Sequence, residues 1–395
     1  MSGVLEGIRV LDFGRYVAGP QCASLLGDFG AEVIRIEKVD GSEDRFLTPL
    51  SEFGDGANFI QNGRNKLGLT LNPNKPEGRE IAQRLIKTAD VVVVNVPYEA
   101  LKAMQLDYES LVKIKEDIIL TTCSAFGSKG SYANKLGFDG IGQAMSGNMH
   151  MSGYPDEPMK SYGPFVDVTA GILGALGTMM ALYERRDSGH GQIVESSLVT
   201  TALNITNTTL MEQAALQLNR VGTGNRGQSG APADAFKTLD GCWVQIQNLG
   251  NPLFKRWVDL MGEPHWLDDP RFKDDKSRGD NGKVLSERMA RWCADKTLQE
   301  VMDTLEKTGI PAGEILTPQQ CLDHPHMKEA ELFKYLKVGN VDKPVPFVET
   351  PVKLSRTPGE IKTAPPTLGE HTDRILQSLG YSVEDIAGFR ARRVV

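Results

Sequence analysis

Apolar residues in the N-terminal third of the chain come in short runs that alternate with amphipathic stretches. The run at 91–95 (VVVVN) is almost continuously β-branched, which is typical of a central strand in a parallel sheet. Strands that alternate with helices predict right-handed crossovers and a doubly wound α/β sheet. The predicted strands are 8–13, 32–37, 66–71, 91–95 and 118–124, and the predicted helices are 21–29 and 76–88.

The most apolar run of the chain covers 168–183 and is rich in Gly and Ala, which predicts a helix that packs closely inside the protein. The run is shorter than the about 20 residues that a helix needs to cross a bilayer, so we expect no membrane span. Charged residues at 184–186 end the helix, and a turn is predicted at 187–191. A further strand at 192–198 and a helix at 204–218 follow.

The pattern changes near Arg220, where four glycines lie within nine residues. A hairpin is predicted at 235–247, with Asp240-Gly241 at its turn. Helical patterns follow, and the chain is rich in Pro beyond residue 342. We therefore expect a large α/β domain at 1–221, a small α+β domain at 222–328, and a C-terminal segment at 329–395 that returns to the large domain.

Composition and charge narrow the class of protein. Of 395 residues, 40% are hydrophobic and 24% are charged, as in ordinary soluble proteins. Lys and Arg number 44 against 51 Asp and Glu, so a net charge of −7 argues against nucleic-acid or membrane binding. The five cysteines form no CxxC pair, which argues against a zinc site and fits a reducing cytoplasm. Glu6 and Arg9 interrupt any signal-like segment, so a cytoplasmic location is expected.

The loop at 14–20 follows the first predicted strand and opens a helix, an arrangement that favours an anionic ligand. Glu37 ends the next strand, where dinucleotide-binding folds keep a ribose-binding acid. The GxGxxG spacing is absent, which argues against an NAD-dependent oxidoreductase. A site for another nucleotide-bearing ligand and a plain tight turn both remain open.

Asp167 lies where an extended segment meets the Gly- and Ala-rich helix. Its position favours a helix N-cap, which is the usual role of Asp at such a boundary. The helix dipole would also favour the ionised carboxylate, which can act as a nucleophile. The glycines of 227–230 favour an interdomain linker over a moving loop, and the scattered histidines predict no metal site.

Six blocks of the chain, in order, resemble the class III CoA-transferase family, which includes formyl-CoA transferase and carnitine CoA-transferase. The first is LEGIRVLDFGRYVAGPQCASLLGDFGAEVIRIEK, and the central one contains GPFVDVTAGILGALGTMMALYERRDSGHGQIVESSL. The others are NGRNKLGLTLNPNKPEGREI, ADVVVVNV, KLGFDGIGQAMSG and PTLGEHTDRILQSLGY. The resemblance runs nearly end to end.

This resemblance implies a Rossmann-like large domain, a smaller domain inserted in it, and two chains threaded through each other as an interlocked homodimer. It implies CoA thioesters and carboxylic acids as substrates, with no permanently bound cofactor. The family's catalytic aspartate falls on Asp167. Its carboxylate would attack the donor thioester, and CoA would pass through an aspartyl anhydride and an aspartyl-CoA thioester to the acceptor acid.

Other positions carry over from the family. Val17 and Ala18 match residues near the reacting centre, and Gly227 to Gly230 approximates a mobile glycine loop. The matches to the CoA-binding wall are Lys38, Leu71, Asn74, Asn95, Val96, Lys135 and Phe138. The arginines that could hold the distal carboxylate of a dicarboxylic acid such as succinate, or pair instead with local acids or CoA phosphates, are Arg15, Arg64 and Arg226.

Three departures from formyl-CoA transferase argue against oxalate as the acid. The glycine loop is GQSGAP, Val17 replaces a polar residue, and Ala103 occupies an expected arginine position. The related α-methylacyl-CoA racemases need a histidine beside an aspartate, but the segment here is Gly137-Phe138-Asp139, and phenylalanine cannot transfer a proton. A non-catalytic acyl-CoA-binding subunit is the third alternative, against which the retained Asp167 argues.

Overall fold

The computed structural model describes residues 3–51, 55–339 and 341–395, and these residues form two compact units. The first unit contains the described residues of Met1–Asn148, Ser161–Ala215 and Glu331–Val395. The second contains Met149–Lys160 and Leu216–Ala330. Each unit therefore consists of separate chain segments, which is possible because the chain leaves the first unit and later returns to it.

A six-stranded parallel sheet forms the centre of the first unit. The strand order β3-β2-β1-β4-β5-β6 reverses between β1 and β4, and doubly wound folds bind ligands at the carboxyl ends of the strands at such a point. The predicted parallel α/β sheet is therefore confirmed. The strands are β1 (Arg9–Asp12), β2 (Glu32–Glu37), β3 (Lys66–Thr70), β4 (Val91–Val94), β5 (Ile119–Ser124) and β6 (Ile193–Ser197).

Helices connect these strands and cover both faces of the sheet, because its apolar strands are buried on both sides. A short 3-10 helix at Glu43–Phe46 follows β2. The α-helices of this part of the chain are α1 (Ala18–Asp28), α2 (Ala57–Gly63), α3 (Pro76–Thr88), α4 (Tyr98–Met104), α5 (Tyr108–Leu111), α6 (Asp139–Met145), α7 (Asn148–Met151), α8 (Phe165–Ser188) and α9 (Leu198–Leu216).

The second unit is an antiparallel sheet packed against helices around the buried Trp257. Its strands are β7 (Ala233–Lys237), β8 (Trp243–Gln247) and β9 (Ala312–Glu314), and the predicted hairpin with Gly241 at its turn joins the first two. Its helices are α10 (Asn251–Met261), α11 (Asp275–Asp280), α12 (Gly282–Ala294), α13 (Leu298–Thr308), α14 (Pro318–Asp323) and α15 (Pro325–Glu329).

The C-terminal segment belongs to the first unit. It contains the hairpin β10 (Phe333–Leu336) and β11 (Val345–Val348), followed by α16 (Thr372–Ser378) and α17 (Val383–Ala391). Apolar side chains of α16 and α17 join the core cluster that covers one face of the parallel sheet. The chain end therefore lies close to the loops that follow β2 and β3, where Asn72 donates its backbone N–H to Val394.

Helices α1 and α8 pack closely on the other face of the sheet. A Cβ atom built on Gly171 would lie 2.7 Å from the carbonyl oxygen of Ala18. One built on Gly174 would lie 3.0 Å from Sγ of Cys123 and 3.4 Å from Sγ of Cys22. The small residues of α8 therefore allow α1 to approach, as the Gly- and Ala-rich pattern predicts.

Helix α8 has 24 residues and extends beyond both ends of the predicted apolar run. The expectation that this segment is too short to cross a bilayer is therefore wrong on length alone. By length and composition α8 is a candidate membrane span, but half of its most apolar window is buried inside the protein. A core helix passes the same test, so this feature is weak evidence of a membrane span.

Candidate active site

Asp167 is the third residue of α8 and is 8% exposed. The helix begins after Pro164, which makes no side-chain cap. The prediction that Asp167 is the N-cap is therefore wrong. Another side chain takes that role, because Oδ1 of Asp139 accepts hydrogen bonds from the backbone N–H groups of Val166 (2.8 Å) and Asp167 (3.2 Å).

Asp139 is itself the first residue of α6 and is 7% exposed. One turn later, the side-chain amide of Gln143 donates to Oδ2 of Asp139, while Oε1 of Gln143 accepts from the backbone N–H of Ser161 at 2.9 Å. These hydrogen bonds connect α6, the segment before α8, and the first turn of α8. The sequence analysis considered Asp139 only in relation to racemases and missed this role.

The pKa of Asp167 is raised to about 7. Burial is the largest cause, and the negative charge of Asp139 acts in the same direction. The backbone N–H of Asp139 opposes both effects by stabilising the charged form. Near neutral pH the carboxyl group is therefore present in both protonation states, and its ionised form is available as a nucleophile.

Val17 and Ala18 lie at the start of α1, and both are buried. The contact between Ala18 and Gly171 is one helical turn beyond Asp167 on α8. The preceding Tyr16 packs its ring edge-on against Phe138, with 5.2 Å between the ring centroids. Phe138 is 55% exposed and directly precedes Asp139 in the chain.

A cleft of about 640 Å³ opens where the loops follow the carboxyl ends of β1 to β4. This is a usual size and place for a small-molecule site in such a fold. Predicted site residues line it: Arg15, Lys38, Leu71, Asn74 and Val96. Other lining residues were not predicted from the sequence, among them Lys75, Met104 and Arg393. Arg393 reaches the cleft only because the chain end returns to this unit.

Three cations of this cleft, Lys38, Lys75 and Arg393, have exposed partners. Lys38, whose side chain is 59% exposed, pairs with Glu43, and Arg393 pairs with Asp40. Lys75 donates to the backbone carbonyl of Arg392. Exposed ion pairs contribute little to stability, so the phosphates of a nucleotide can compete for these cations.

The three arginines considered for a distal carboxylate are engaged locally. Nη1 of Arg15 donates to the carbonyl oxygens of Phe13 (3.1 Å), Gly14 (2.7 Å) and Ile36 (3.1 Å). Arg64 is buried and pairs with Asp28 at 2.7 Å. Arg226 belongs to the second unit and donates to the carbonyl of Gly279 at 3.2 Å.

The remaining predicted residues lie elsewhere. Nζ of Lys135 lies 3.4 Å from the ring centroid of Tyr132 and does not line the cleft. Gly227 and Gly230 belong to the second unit, where Gly227 donates its N–H to the carbonyl of Ala233. The role of this glycine segment as a mobile loop stays a prediction.

Glu37, at the position of a ribose-binding acid, is not available to a ligand. It is buried and paired with Arg45 at 2.6 Å. This pairing, like the missing GxGxxG spacing, argues against a dinucleotide-binding site. Within the described ranges, no group of three or more His, Cys, Asp or Glu side chains could hold a metal ion.

The described residues therefore combine a parallel sheet, a buried aspartate at a helix start and a cleft at the carboxyl edge of the sheet. Residues 5–372 match the sequence profile of CoA-transferase family III. The chain therefore belongs to CoA-transferase family III and is a class III CoA-transferase.

Similar proteins cover the whole chain. Succinyl-CoA–D-citramalate CoA-transferase of Chloroflexus aurantiacus is 32% identical over 400 residues, which span 99% of this chain and 98% of that protein. The β subunit of succinyl-CoA–L-malate CoA-transferase from the same organism is 30% identical over 397 residues, or 99% and 98% of the two chains. The crystal structure of a CAIB/BAIF family protein from Brucella suis has a TM-score of 0.82 at 28% identity and covers 96% of this chain and 100% of that one.

Proposed function

We propose that this enzyme moves CoA from a dicarboxylic acyl-CoA such as succinyl-CoA to a second carboxylic acid, with Asp167 as the nucleophile. The observation that carries this proposal is the placement of Asp167. It is a buried carboxylate at the start of α8 with a pKa near 7, and Asp139 satisfies the helix N–H groups in its place. Such a group can attack a thioester when ionised.

The first half of the reaction transfers CoA to the enzyme. A carboxylate oxygen of Asp167 attacks the thioester carbonyl carbon, the C–S bond breaks, and CoA leaves as a thiolate. The product is a mixed anhydride of Asp167 and the donor acid. The thiolate then attacks Cγ of Asp167, the anhydride C–O bond breaks, and the donor acid leaves as its carboxylate with one oxygen from Asp167.

The second half reverses these steps with the acceptor. A carboxylate oxygen of the acceptor attacks Cγ of the aspartyl-CoA thioester, and CoA leaves again as a thiolate. The thiolate attacks the acceptor's carbonyl carbon in the new anhydride, which gives the product acyl-CoA and regenerates Asp167. No proton or water is consumed, so exclusion of water preserves the thioester bond energy.

We place the nucleotide end of CoA in the cleft at the carboxyl edge of the sheet. Its exposed cations, Lys38, Lys75 and Arg393, suit phosphate groups. The apolar Leu71 and Val96 offer a wall for the adenine and the pantetheine chain. Phe138, where a racemase would need a histidine, supports transfer rather than proton exchange.

The choice of a dicarboxylic donor is supported by the two relatives named for succinyl-CoA. The name of one of them describes a β subunit, so a second, unlike subunit is the alternative to activity of this chain alone. The engaged side chains of Arg64 and Arg226 do not favour them as distal-carboxylate contacts.

A homodimer is part of the proposal. Helix α8 exposes a stripe of large apolar side chains at helical spacing: Ile172, Leu176, Met180 and Tyr183. Exposed apolar patches of this kind mark protein interfaces. Light scattering during size-exclusion chromatography would give twice the 43.2 kDa chain mass, whereas a monomer at micromolar concentration would overturn this part.

Intact-protein mass spectrometry after mixing with acyl-CoAs tests the chemistry. Succinyl-CoA should give a CoA-sized adduct on the native chain and none on Asp167→Ala. Asp187→Ala, at the exposed end of the same helix, is the matched control and should retain the adduct. Acetyl-CoA tests the dicarboxylic donor, because an equal adduct from both would contradict that preference. If no donor gives an adduct, with or without a candidate partner subunit, the assignment of Asp167 as the nucleophile is overturned.

A further inference from the structure

The loop between β1 and α1 is held by side chains at every backbone polar group of Gly14 and Arg15. The N–H of Gly14 donates to Oδ1 of Asp12 at 2.8 Å, and its carbonyl accepts from Arg35. The N–H of Arg15 donates to Oδ1 of Asn95 at 2.8 Å, and Nδ2 of Asn95 donates back to the carbonyl of Arg15 at 2.5 Å. Secondary structure or water usually satisfies such groups.

Tyr16 continues this pattern. Its N–H donates to Oδ2 of Asp44 at 3.1 Å, and its carbonyl accepts from Nδ2 of Asn58 at 3.2 Å. Its φ of +62° lies in the left-handed region, which is an outlier for a bulky residue. Such strain persists only where the surroundings hold it, and it is concentrated at functional sites.

The groups that hold the loop are fixed in turn by buried ion pairs. Asp44 is 2% exposed and pairs with Arg35 at 2.7 Å, and Asp12 pairs with Lys66 at 2.8 Å. Buried ion pairs contribute little net stability. Two of them beneath one short loop therefore point to a role in holding this loop in one conformation.

The loop joins the two parts of the proposed site. Arg15 lines the cleft proposed for the CoA nucleotide. After Tyr16, Val17 is the N-cap of α1 and Ala18 is its first residue, which contacts α8 one turn beyond Asp167. A displacement of this loop would therefore move the proposed contacts of the thioester relative to the nucleophile.

We propose that Asn95, Asp44 and Asn58 are positioning residues, which act through the backbone of Gly14–Tyr16 to fix Val17 and Ala18 against the bound acyl-CoA. This inference rests on the proposed function. It changes the role of Asn95, for which the resemblance implies direct contact with CoA. The acceptor and one of the two N–H donors of its amide are already used by Arg15.

Steady-state kinetics of Asn95→Ala and Asn58→Ala with succinyl-CoA separate these roles. Misplacement of reacting groups by about 1 Å can cost on the order of 10²-fold, so we expect kcat to fall by about tenfold or more with KM for succinyl-CoA within about twofold. Asn58 is only half-buried, so its variant should keep the fold. Thr350→Val, which removes a hydrogen bond from the buried Thr350 to the carbonyl of Gly359, should lower Tm without changing kcat.

Two results would overturn the inference. A higher KM with kcat retained in Asn95→Ala would mean that Asn95 contacts CoA directly. A lower Tm with both constants retained would mean that these bonds serve only stability. The proposed function is tested separately, because native enzyme that forms the aspartyl-CoA adduct while both variants behave like Thr350→Val refutes the positioning role alone.

Discussion

The cleft proposed for the CoA nucleotide and the surroundings of Asp167 differ in burial and in the partners of their charged groups. The cleft is open, and its cations Lys38 and Arg393 pair only with exposed acids. The aspartate is buried beside a second buried carboxyl group, that of Asp139. An open site with weakly held charges suits recognition of a polyanion, whereas burial suits a nucleophile whose anhydride must be kept from water.

The largest effect should come from removing the nucleophile. Asp167→Asn keeps the size of the side chain but cannot form the anhydride, so kcat should fall by roughly 10⁴-fold or more, the scale seen when a covalent nucleophile is lost. Asp187→Asn, on the exposed end of α8, should leave the rate unchanged. A variant that retains a tenth of the native rate would place the chemistry on another group.

The second largest effect should come from disrupting the close packing of α8 against the sheet and α1. Gly174→Val would place branched carbons against the sulfurs of Cys123 and Cys22, so we expect a loss of about 1–3 kcal/mol in the free energy of unfolding. Gly313→Ala is the control, because an added Cβ there meets nothing within 4 Å and the backbone is not in the left-handed region. Urea denaturation measures both, and unchanged stability of Gly174→Val would contradict the packing described.

The charge of Asp139 should be visible in the pH profile. Since the proposed mechanism requires the ionised form of Asp167, single-turnover adduct formation in the native enzyme should rise with pH with an apparent pKa of about 7. Asp139 raises that pKa by its negative charge, so Asp139→Asn should move the rise to lower pH. Stopped-flow measurement from pH 5 to 9 would test this, and a profile that stays in place or moves to higher pH would contradict the assignment.

The smallest effect should come from the open cleft. Lys38→Ala removes one exposed cation, which is worth about 1 kcal/mol or less, so KM for succinyl-CoA should rise by up to about fivefold with kcat retained. Added salt should narrow the difference from the native enzyme. Lys113→Ala, on an exposed surface outside the cleft, should change neither constant, and a loss of kcat in Lys38→Ala would contradict the separation of recognition from chemistry.

The sheet could be predicted from sequence because its signal is local. Four consecutive valines form β4, and the strands around it are similarly apolar. The proposal of Asp167 as the nucleophile comes from a resemblance that spans nearly the whole chain, whereas the residues next to it in the sequence favoured an N-cap, which the structure contradicts. The true cap, Asp139, lies 28 residues earlier in the chain, so no local pattern could reveal it.

The residues that line the cleft could also be predicted only in part. Leu71 ends a predicted strand, and Lys38 and Asn74 follow predicted strands. Their proximity is foreseeable because the strand ends meet at one edge of the sheet. Arg393 reaches the cleft through a chain return that is a property of the fold. The left-handed Tyr16 carries no sequence signal, because Tyr is not a residue type that favours this conformation.

The central claim is that Asp167 forms an anhydride with each acid, and oxygen transfer tests it most directly. The acceptor acid is labelled with oxygen-18 in both carboxylate oxygens, the enzyme is turned over with succinyl-CoA, and the peptide containing Asp167 is analysed by mass spectrometry. After one turnover, one oxygen-18 atom is expected in the Asp167 carboxylate and one in the product thioester, and further turnovers can replace the second oxygen of Asp167 as well. Labelled product with no label on Asp167 after many turnovers would contradict the claim.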